Sequence, residues 1–277
     1  MANLDTAQGG VGQRGADSRA RLIAEREAIE VGFWSSSDIE SPGSDSIHNI
    51  LMKAAEARIF MEKIDTFQKE FASAGTILEL GGGQCWASCI VKRLFPAARV
   101  VGSDIAQDAI ASVHKWEHVY GVRIDETVAC RSYAVPFPDS SVDLIFAFAA
   151  AHHFGRFRST LAEISRVLKP GGTALFLHEP GCRQYLYRVA HWRVNRKRPE
   201  VPEDVIVYKK VEAMAGEVGL TCKAQFAPTL TNRTPRAMFY YYVLNRLPWL
   251  QHVLPCSVDI VVKKPGAGAA ARRWVAT

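Results

Sequence analysis

The chain is expected to fold as a doubly wound α/β protein around a mostly parallel sheet of seven strands. Three observations lead there. From Thr76 onward, short apolar runs alternate with helical stretches at the interval of βαβ units. Runs such as "VDLIFAFA", from Val142 to Ala149, are apolar almost without a break, as strands covered on both faces must be. The first run leads into glycines, "ILELGGGQCWAS" over Ile77–Ser88. That is a strand–turn–helix layout in which the backbone can approach a ligand closely.

In chain order, residues 1–20 are small and polar and read as disordered. A helix is expected from Ser18 to about Val31, followed by loop chemistry from Ser35 to Ser46 with Pro-Gly at its centre. A second helix, from about Ile47 to Phe71, carries Ile50, Leu51, Ala54, Ala57, Phe60, Met61 and Ile64 at helical spacing. Residues 21–75 therefore read as a helical cap on the α/β unit of residues 76–264. Within that unit "TILEL", "ARVVGSD", "ETVACRS", "VDLIFAFA" and "TALFLHE" read as strands. Helices are expected over "CWASCIVKRLF", from about Ala106 to Tyr120, and over "TLAEISRVL", which the turn "KPGG" closes. After Pro180 come a basic helix, a helix from Glu203 to Gly219, and two strands, "TCKAQFA" and "SVDIVVKK". Segments 181–202 and 232–256 read as insertions on the substrate side, and residues 265–277 as a loose tail.

Composition narrows the class. The 277 residues are 48% hydrophobic and 22% charged, with a formal net charge of +6. No apolar run approaches the roughly 20 residues that span a bilayer, and the N-terminus lacks the apolar stretch of a signal peptide. A cytoplasmic protein is the expectation. The six cysteines show no metal-type pairing and read as free thiols. The mild positive charge permits an anionic partner without demanding one.

The second strand ends at Asp104, 25 positions after Glu79, where a carboxylate can accept from both hydroxyls of a ribose. Two classes of adenosine cofactor share that layout. A dinucleotide needs a third small residue where the helix begins, close to its pyrophosphate. Here that position is Trp86. An acidic residue in the first strand, Glu79, would repel a pyrophosphate and suits a cation. The charge argument favours S-adenosylmethionine, a sulfonium with an ammonium group.

Four motifs in order then carry a resemblance. "LELGGGQC", "VVGSD", "AVPFPDSSVDLIFAFAAAHHF" and "EISRVLKPGG" are similar to the successive motifs of class I S-adenosylmethionine-dependent methyltransferases, in the branch acting mostly on small molecules and lipids. The match runs from about Ile77 to His178. The resemblance implies the Rossmann-like methyltransferase sheet, with Glu79 near the cofactor's ammonium and Gly81, Gly82 and Gly83 under its methionine part. It also implies Asp104 on the ribose, Ile105 beside the adenine, and backbone of Ala147 and Phe148 facing the ammonium. Two positions depart from the family pattern. Cys85 stands where a third glycine is usual. Arg131 replaces an acid ahead of the adenine pocket, which hands that contact to Ser132 or to backbone.

For the acceptor, His152 and His153 follow the fourth strand at the mouth of the crevice, and one of them is a candidate general base. His178-Glu179 is a second candidate pair. "CRQYLYRVAHWRVNRKR" interleaves arginines with aromatics. It reads either as an exposed helix or as a contact for a phosphate-bearing or glycolipid acceptor or an anionic membrane surface; nucleic acid is disfavoured. The expected function is methyl transfer to a small, sugar- or lipid-linked acceptor, with O-methylation favoured. A non-catalytic protein of the same fold and an NAD(P)-dependent oxidoreductase stand as alternatives, and no metal is expected.

Overall fold

A computed structural model of the chain describes residues 21–25, 27–29, 31–33, 35–36, 41, 46–196 and 203–266. The disordered start expected over 1–20, most of the tail expected over 265–277 and part of the loop between Ser35 and Ser46 lie outside them. Among the described residues, the first complete helix is α1 (Ile47–Thr66), whose N-terminus is capped by the Ser46 hydroxyl accepting from the His48 amide. The helix expected to run on to Phe71 instead breaks at Phe67, which leaves helical angles (φ −112°, ψ 26°) with its ring buried. The short α2 (Gln68–Ser73) then turns Phe71 against Phe60, ring centroids 6.4 Å apart.

The α/β unit follows as β1 (Thr76–Leu80), α3 (Trp86–Leu94), β2 (Arg99–Asp104), α4 (Gln107–Ala111), α5 (Val113–Tyr120), β3 (Glu126–Ala129) and β4 (Val142–Phe148). It continues through α6 (Phe157–Val167), β5 (Leu168–Cys182), α7 (Tyr187–Asn195), β6 (Ile206–Val207), α8 (Tyr208–Glu217), β7 (Thr221–Phe226), α9 (Pro235–Arg246) and β8 (Cys256–Lys263). Seven strands form one path in the order β3-β2-β1-β4-β5-β8-β7, and the two-residue β6 pairs with β5. The ladders from β3 to β5 are parallel, whereas β8 runs antiparallel to both of its neighbours. The order reverses between β1 and β4, and the crevice above that point is where this architecture binds ligands.

Alternation along the strands divides the core into two layers. Leu78, Ile145 and Phe176 face one side of the sheet, and Ile77, Leu144, Phe146 and Leu175 face the other. Glu79 falls on the second side, beneath α3. This parity brings its carboxylate to the helix start.

Three boundaries differ from the sequence expectation. The helix over 106–120 is interrupted at Ser112, whose hydroxyl donates to the Ala109 carbonyl at 2.7 Å and competes with the helical ladder. "KPGG" loops out of the β4–β5 pairing, which jumps from Val142–Leu168 to Leu144–Thr173, with Gly171 at φ +84°. The helix expected from Glu203 begins only at Tyr208. Glu203 is tied back to α7 through Asn195, and β-branched Ile206 and Val207 add to the edge offered by Gly181-Cys182.

Candidate active site

The glycine turn is held by its neighbours in β2. The Gly82 amide donates to the Ser103 carbonyl at 2.8 Å, and the Gly83 amide to Asp104 Oδ2 at 2.8 Å. Gly81 (φ +69°) and Gly83 (φ +53°) take left-handed angles that glycine adopts without strain. Cys85 takes one too, at φ +56°. The family's third glycine is therefore replaced in residue type but not in conformation. Space for the thiol comes from Gly102, where a Cβ would lie 2.5 Å from Cys85 Sγ.

Glu79 lies under this turn. Its Oε2 accepts from the Ser88 amide at 3.1 Å and from the Ser88 hydroxyl at 2.5 Å, at the start of α3. Burial pushes its carboxyl up to about 7, against the lowering effect of Ser88. Asp104 accepts from Gly83 through Oδ2 and from the Ala106 amide through Oδ1, each at 2.8 Å. Each carboxylate oxygen has two acceptor directions, so capping the turn and the next helix leaves capacity for a ligand. Burial raises the Asp104 carboxyl as well.

These groups floor a cavity of about 520 Å³. That volume is in the range that encloses a cofactor and part of an acceptor. Of the residues expected at the cofactor, Glu79, Gly81, Gly82, Gly83, Asp104, Ile105, Ser132 and Phe148 all line it. Ala147 does not. It is buried in the sheet opposite Phe176, and the cavity is lined instead by Ala149 (φ +49°) and Ala150, two and three residues later. The Ser132 hydroxyl lies 2.8 Å from that of Thr160, so part of its hydrogen-bonding capacity is taken. Arg131 does not present a bare charge to the cavity. Its Nε donates to Glu27 at 3.0 Å, and the Tyr133 hydroxyl donates to the same carboxylate at 2.8 Å. Glu27 thus brings the N-terminal helical segment over the cavity, a contact spanning more than 100 residues that no local pattern announces. Trp86, the position unsuited to a dinucleotide turn, packs edge-on against Phe60 and Phe148 at 5.8 and 5.6 Å.

The two histidine pairs exchange partners. Sequence places His152 beside His153 and His178 beside Glu179, but the hydrogen bond joins His152 to Glu179: Nδ1 to Oε2 at 2.7 Å, with Glu179 fully buried. Glu179 also accepts from the amides of Ala150, Ala151 and His152 at 2.9–3.2 Å, which fixes the loop carrying both histidines. The exchange follows from an irregularity in the β5–β8 pairing between Phe176 and Glu179, where His178 adopts φ +60°. A bulge of this kind re-aims side chains. The His178 ring stacks on Phe148 at 5.7 Å, and its amide donates to Asp259. Burial, with the positive charges of Arg233 and Lys63 nearby, pushes its pKa down to about 3. His178 is therefore a neutral imidazole with little basicity. His153 rests on the His152 ring at 4.1 Å.

Comparison with known proteins decides the family. Residues 78–176 match the family model described as a methyltransferase domain. Residues 78–176 thus form a methyltransferase domain, of the class I S-adenosylmethionine-dependent type. It is 27% identical over 158 residues to a demethylmenaquinone methyltransferase of Thermus thermophilus, covering 56% of this chain and 70% of that one. It is 31% identical over 100 residues to a fatty-acid O-methyltransferase of Mycolicibacterium smegmatis, with 36% and 35% covered. The chain thus spans about a third of the second relative. Geranyl diphosphate C-methyltransferase from Streptomyces coelicolor superposes with a TM-score of 0.60 at 13% identity, covering 81% of this chain and 86% of that one, a likeness of fold. The methyltransferase assignment sets aside the nicotinamide alternative. The lining residues fit the cofactor's chemistry: a buried carboxylate for a cation, a second carboxylate with open acceptor directions, and glycine backbone with open space above Gly83.

Proposed function

We propose that this methyltransferase methylates a hydroxyl oxygen of a small, sugar- or lipid-linked acceptor, with His152 as general base. The observation that carries the reading is the bond from His152, on the cavity wall, to the buried Glu179 behind it. A carboxylate on Nδ1 holds that proton, orients the ring and stabilises the imidazolium, which makes Nε2 the basic nitrogen of the neutral ring. The tautomer is assigned from this hydrogen bond. When bound, S-adenosylmethionine supplies an electrophilic methyl carbon and retains the carbon–sulfur electron pair as a neutral thioether. The chain's own work is to hold the acceptor oxygen in line and to take its proton at Nε2 of His152. Glu79 and the Gly81–Gly83 backbone would hold the methionine part, Asp104 and Ile105 the nucleoside, and Ser132 the adenine edge. The backbone of Ala149 and Ala150, next to Phe148, would serve where Ala147 was expected.

The Glu79 assignment has a consequence for pH. Without cofactor its carboxyl titrates at about 7, and an ammonium beside it favours the ionised form. Binding near pH 6.5 should therefore release a proton, and affinity should rise with pH from 6 to 7.5. Calorimetric titration of S-adenosylhomocysteine in buffers of different ionisation heat reads this directly. Equal observed heats in all the buffers, meaning no proton released, would remove Glu79 from the ammonium site.

A lipid-linked acceptor is supported by an exposed aromatic surface on α7 and α9, the helices that follow the cavity-lining Pro180 and Arg233. Among the described residues Trp192, Phe239 and Trp249 are 60–69% exposed, with Tyr185, Val189 and Tyr242 around them. Arg193 on α7 stacks over Tyr240 on α9 at 5.3 Å, which joins the two segments. Neither Gln184–Arg196 nor Asn232–Val258 contains a carboxylate. Exposed aromatics with arginines and no acids suit peripheral contact with an anionic membrane surface on the cytoplasmic side. No described helix is long and apolar enough to cross a membrane. The test is labelled S-adenosylmethionine incubated with fractionated metabolites, lipids and glycans, with and without vesicles containing 30% anionic lipid, about a physiological share. An alkali-stable methyl ether in a lipid or glycolipid fraction, and protein sedimenting with the vesicles, are the expected results. Label on carbon, or no sedimentation, counts against the corresponding half.

A further inference from the structure

The acceptor half of the cavity contains a cation that methyl transfer itself does not use. Three lysine or arginine side chains line the cavity: Lys53, Arg131 and Arg233. Lys53 is bonded to Glu56 at 3.1 Å and Arg131 to Glu27 at 3.0 Å. Arg233 has no carboxylate partner among the described residues. Lys63, close by, is paired with Asp259 at 2.7 Å. A half-buried guanidinium left without an anion in a wall this ordered is costly unless a ligand supplies one.

The guanidinium is also fixed in place. It stacks on the Tyr241 ring at 4.1 Å, Nη2 donates to the Ser257 hydroxyl at 2.9 Å, and Nε lies 3.4 Å from the Thr229 carbonyl. Ser257 in turn contacts the Tyr241 hydroxyl at 3.2 Å. An arginine has five N–H donors, so Nη1 and one Nη2 proton remain for a ligand. A second polar group on the cavity wall is unsatisfied: His178, close enough to feel the charge of Arg233, has a buried Nδ1 with no hydrogen-bond partner among the described residues. Held neutral, His178 adds no charge to the site. Arg233 thus brings one positive charge, against the carboxylate of Glu203 on the same cavity wall. A dianionic phosphate is poorly matched to that balance. A carboxylate matches both the charge and the forked geometry of arginine.

We propose that the acceptor is a hydroxy acid whose carboxylate is seated on Arg233, with Tyr241 and Ser257 fixing the guanidinium, so that the hydroxyl to be methylated reaches His152. This rests on the O-methylation reading above and deepens it: Arg233 selects the substrate class, and His152 serves the reaction. The carboxylate is an anchor and is not itself methylated.

The test uses the protein saturated with S-adenosylhomocysteine and two probe acids, 3-hydroxydecanoate and 4-hydroxycinnamate, each beside its methyl ester, with decyl phosphate as a third arm. Calorimetry should find at least one acid binding about tenfold or more tighter than its ester, and tighter than the phosphate. A tenfold preference is the scale of one charge-assisted contact. Arg233→Met should abolish the preference without weakening the ester, and Arg233→Lys should restore part of it. Unchanged S-adenosylhomocysteine affinity and melting temperature show that the variants are folded. Acids and esters binding alike, neither acid binding, a preference retained in Arg233→Met, or phosphate binding tightest would overturn the proposal. So would an alkali-labile methyl ester as product. If Arg233→Met loses the preference while His152→Ala turns over normally, the carboxylate seat stands and the general-base reading fails.

Discussion

Replacing His152 with alanine should lower kcat by about 10²–10⁴-fold, the usual contribution of a positioned general base, with S-adenosylhomocysteine affinity within about twofold of wild type. Glu179→Gln should reproduce much of that loss. The amide can still accept a bond from the loop's backbone, but it no longer offers a carboxylate to hold the Nδ1 proton and stabilise the imidazolium. Glu179→Ala is the less informative variant. It strips the acceptor from three amides and so perturbs the loop along with the chemistry. His153, whose ring rests tilted on that of His152, should tolerate alanine with a change of less than about threefold. Full turnover by His152→Ala would remove histidine from the proton transfer and favour an acceptor that needs no base.

That prediction could not have been written for one histidine from the sequence alone. Local alternation locates β1, β2, β4 and β5 because each is a short apolar run bounded by turn residues. It locates Asp104 because the residue ends β2 at the expected interval. Such signals are short-range. The His152–Glu179 bond spans 27 residues and depends on a bulge that aims Glu179 at the loop after β4. Positive φ at a histidine leaves no compositional mark, so adjacency in sequence suggests the wrong partner. Glu27 is hidden for a similar reason: its partner, Arg131, lies 104 residues away. The shift from Ala147 to Ala149–Ala150 has a simpler cause. Strand ends read from apolar runs are uncertain by a residue or two, and the β4 run continues through the small residues that follow it.

The glycine turn yields the second large effect, because its residues should fail for different reasons. At Gly82 a Cβ would lie 2.7 Å from the Glu79 side-chain carboxyl carbon and 2.8 Å from Oε2. Gly82→Ala must therefore displace a buried carboxylate from Ser88, leaving it unsatisfied at a cost of about 1–3 kcal/mol. Both stability and cofactor affinity should fall. At Gly83 a Cβ meets no protein atom within 4 Å, so the space it would fill is the cavity itself. Gly83→Val should lose about 1–2 kcal/mol of stability to the left-handed angle, and cofactor affinity by more than about tenfold because the side chain occupies ligand space. Cys85→Gly should behave oppositely. Glycine removes a left-handed cost of about 1–2 kcal/mol, while losing the sulfur's contact with Gly102 gives back about 1 kcal/mol. Stability should move little, and affinity should stay within about twofold. Calorimetric titration with S-adenosylhomocysteine, paired with thermal melts, separates the three. If Cys85→Gly loses the cofactor while Gly83→Val keeps it, the ligand does not lie over this turn, and the assignments of Glu79 and Asp104 fall with it.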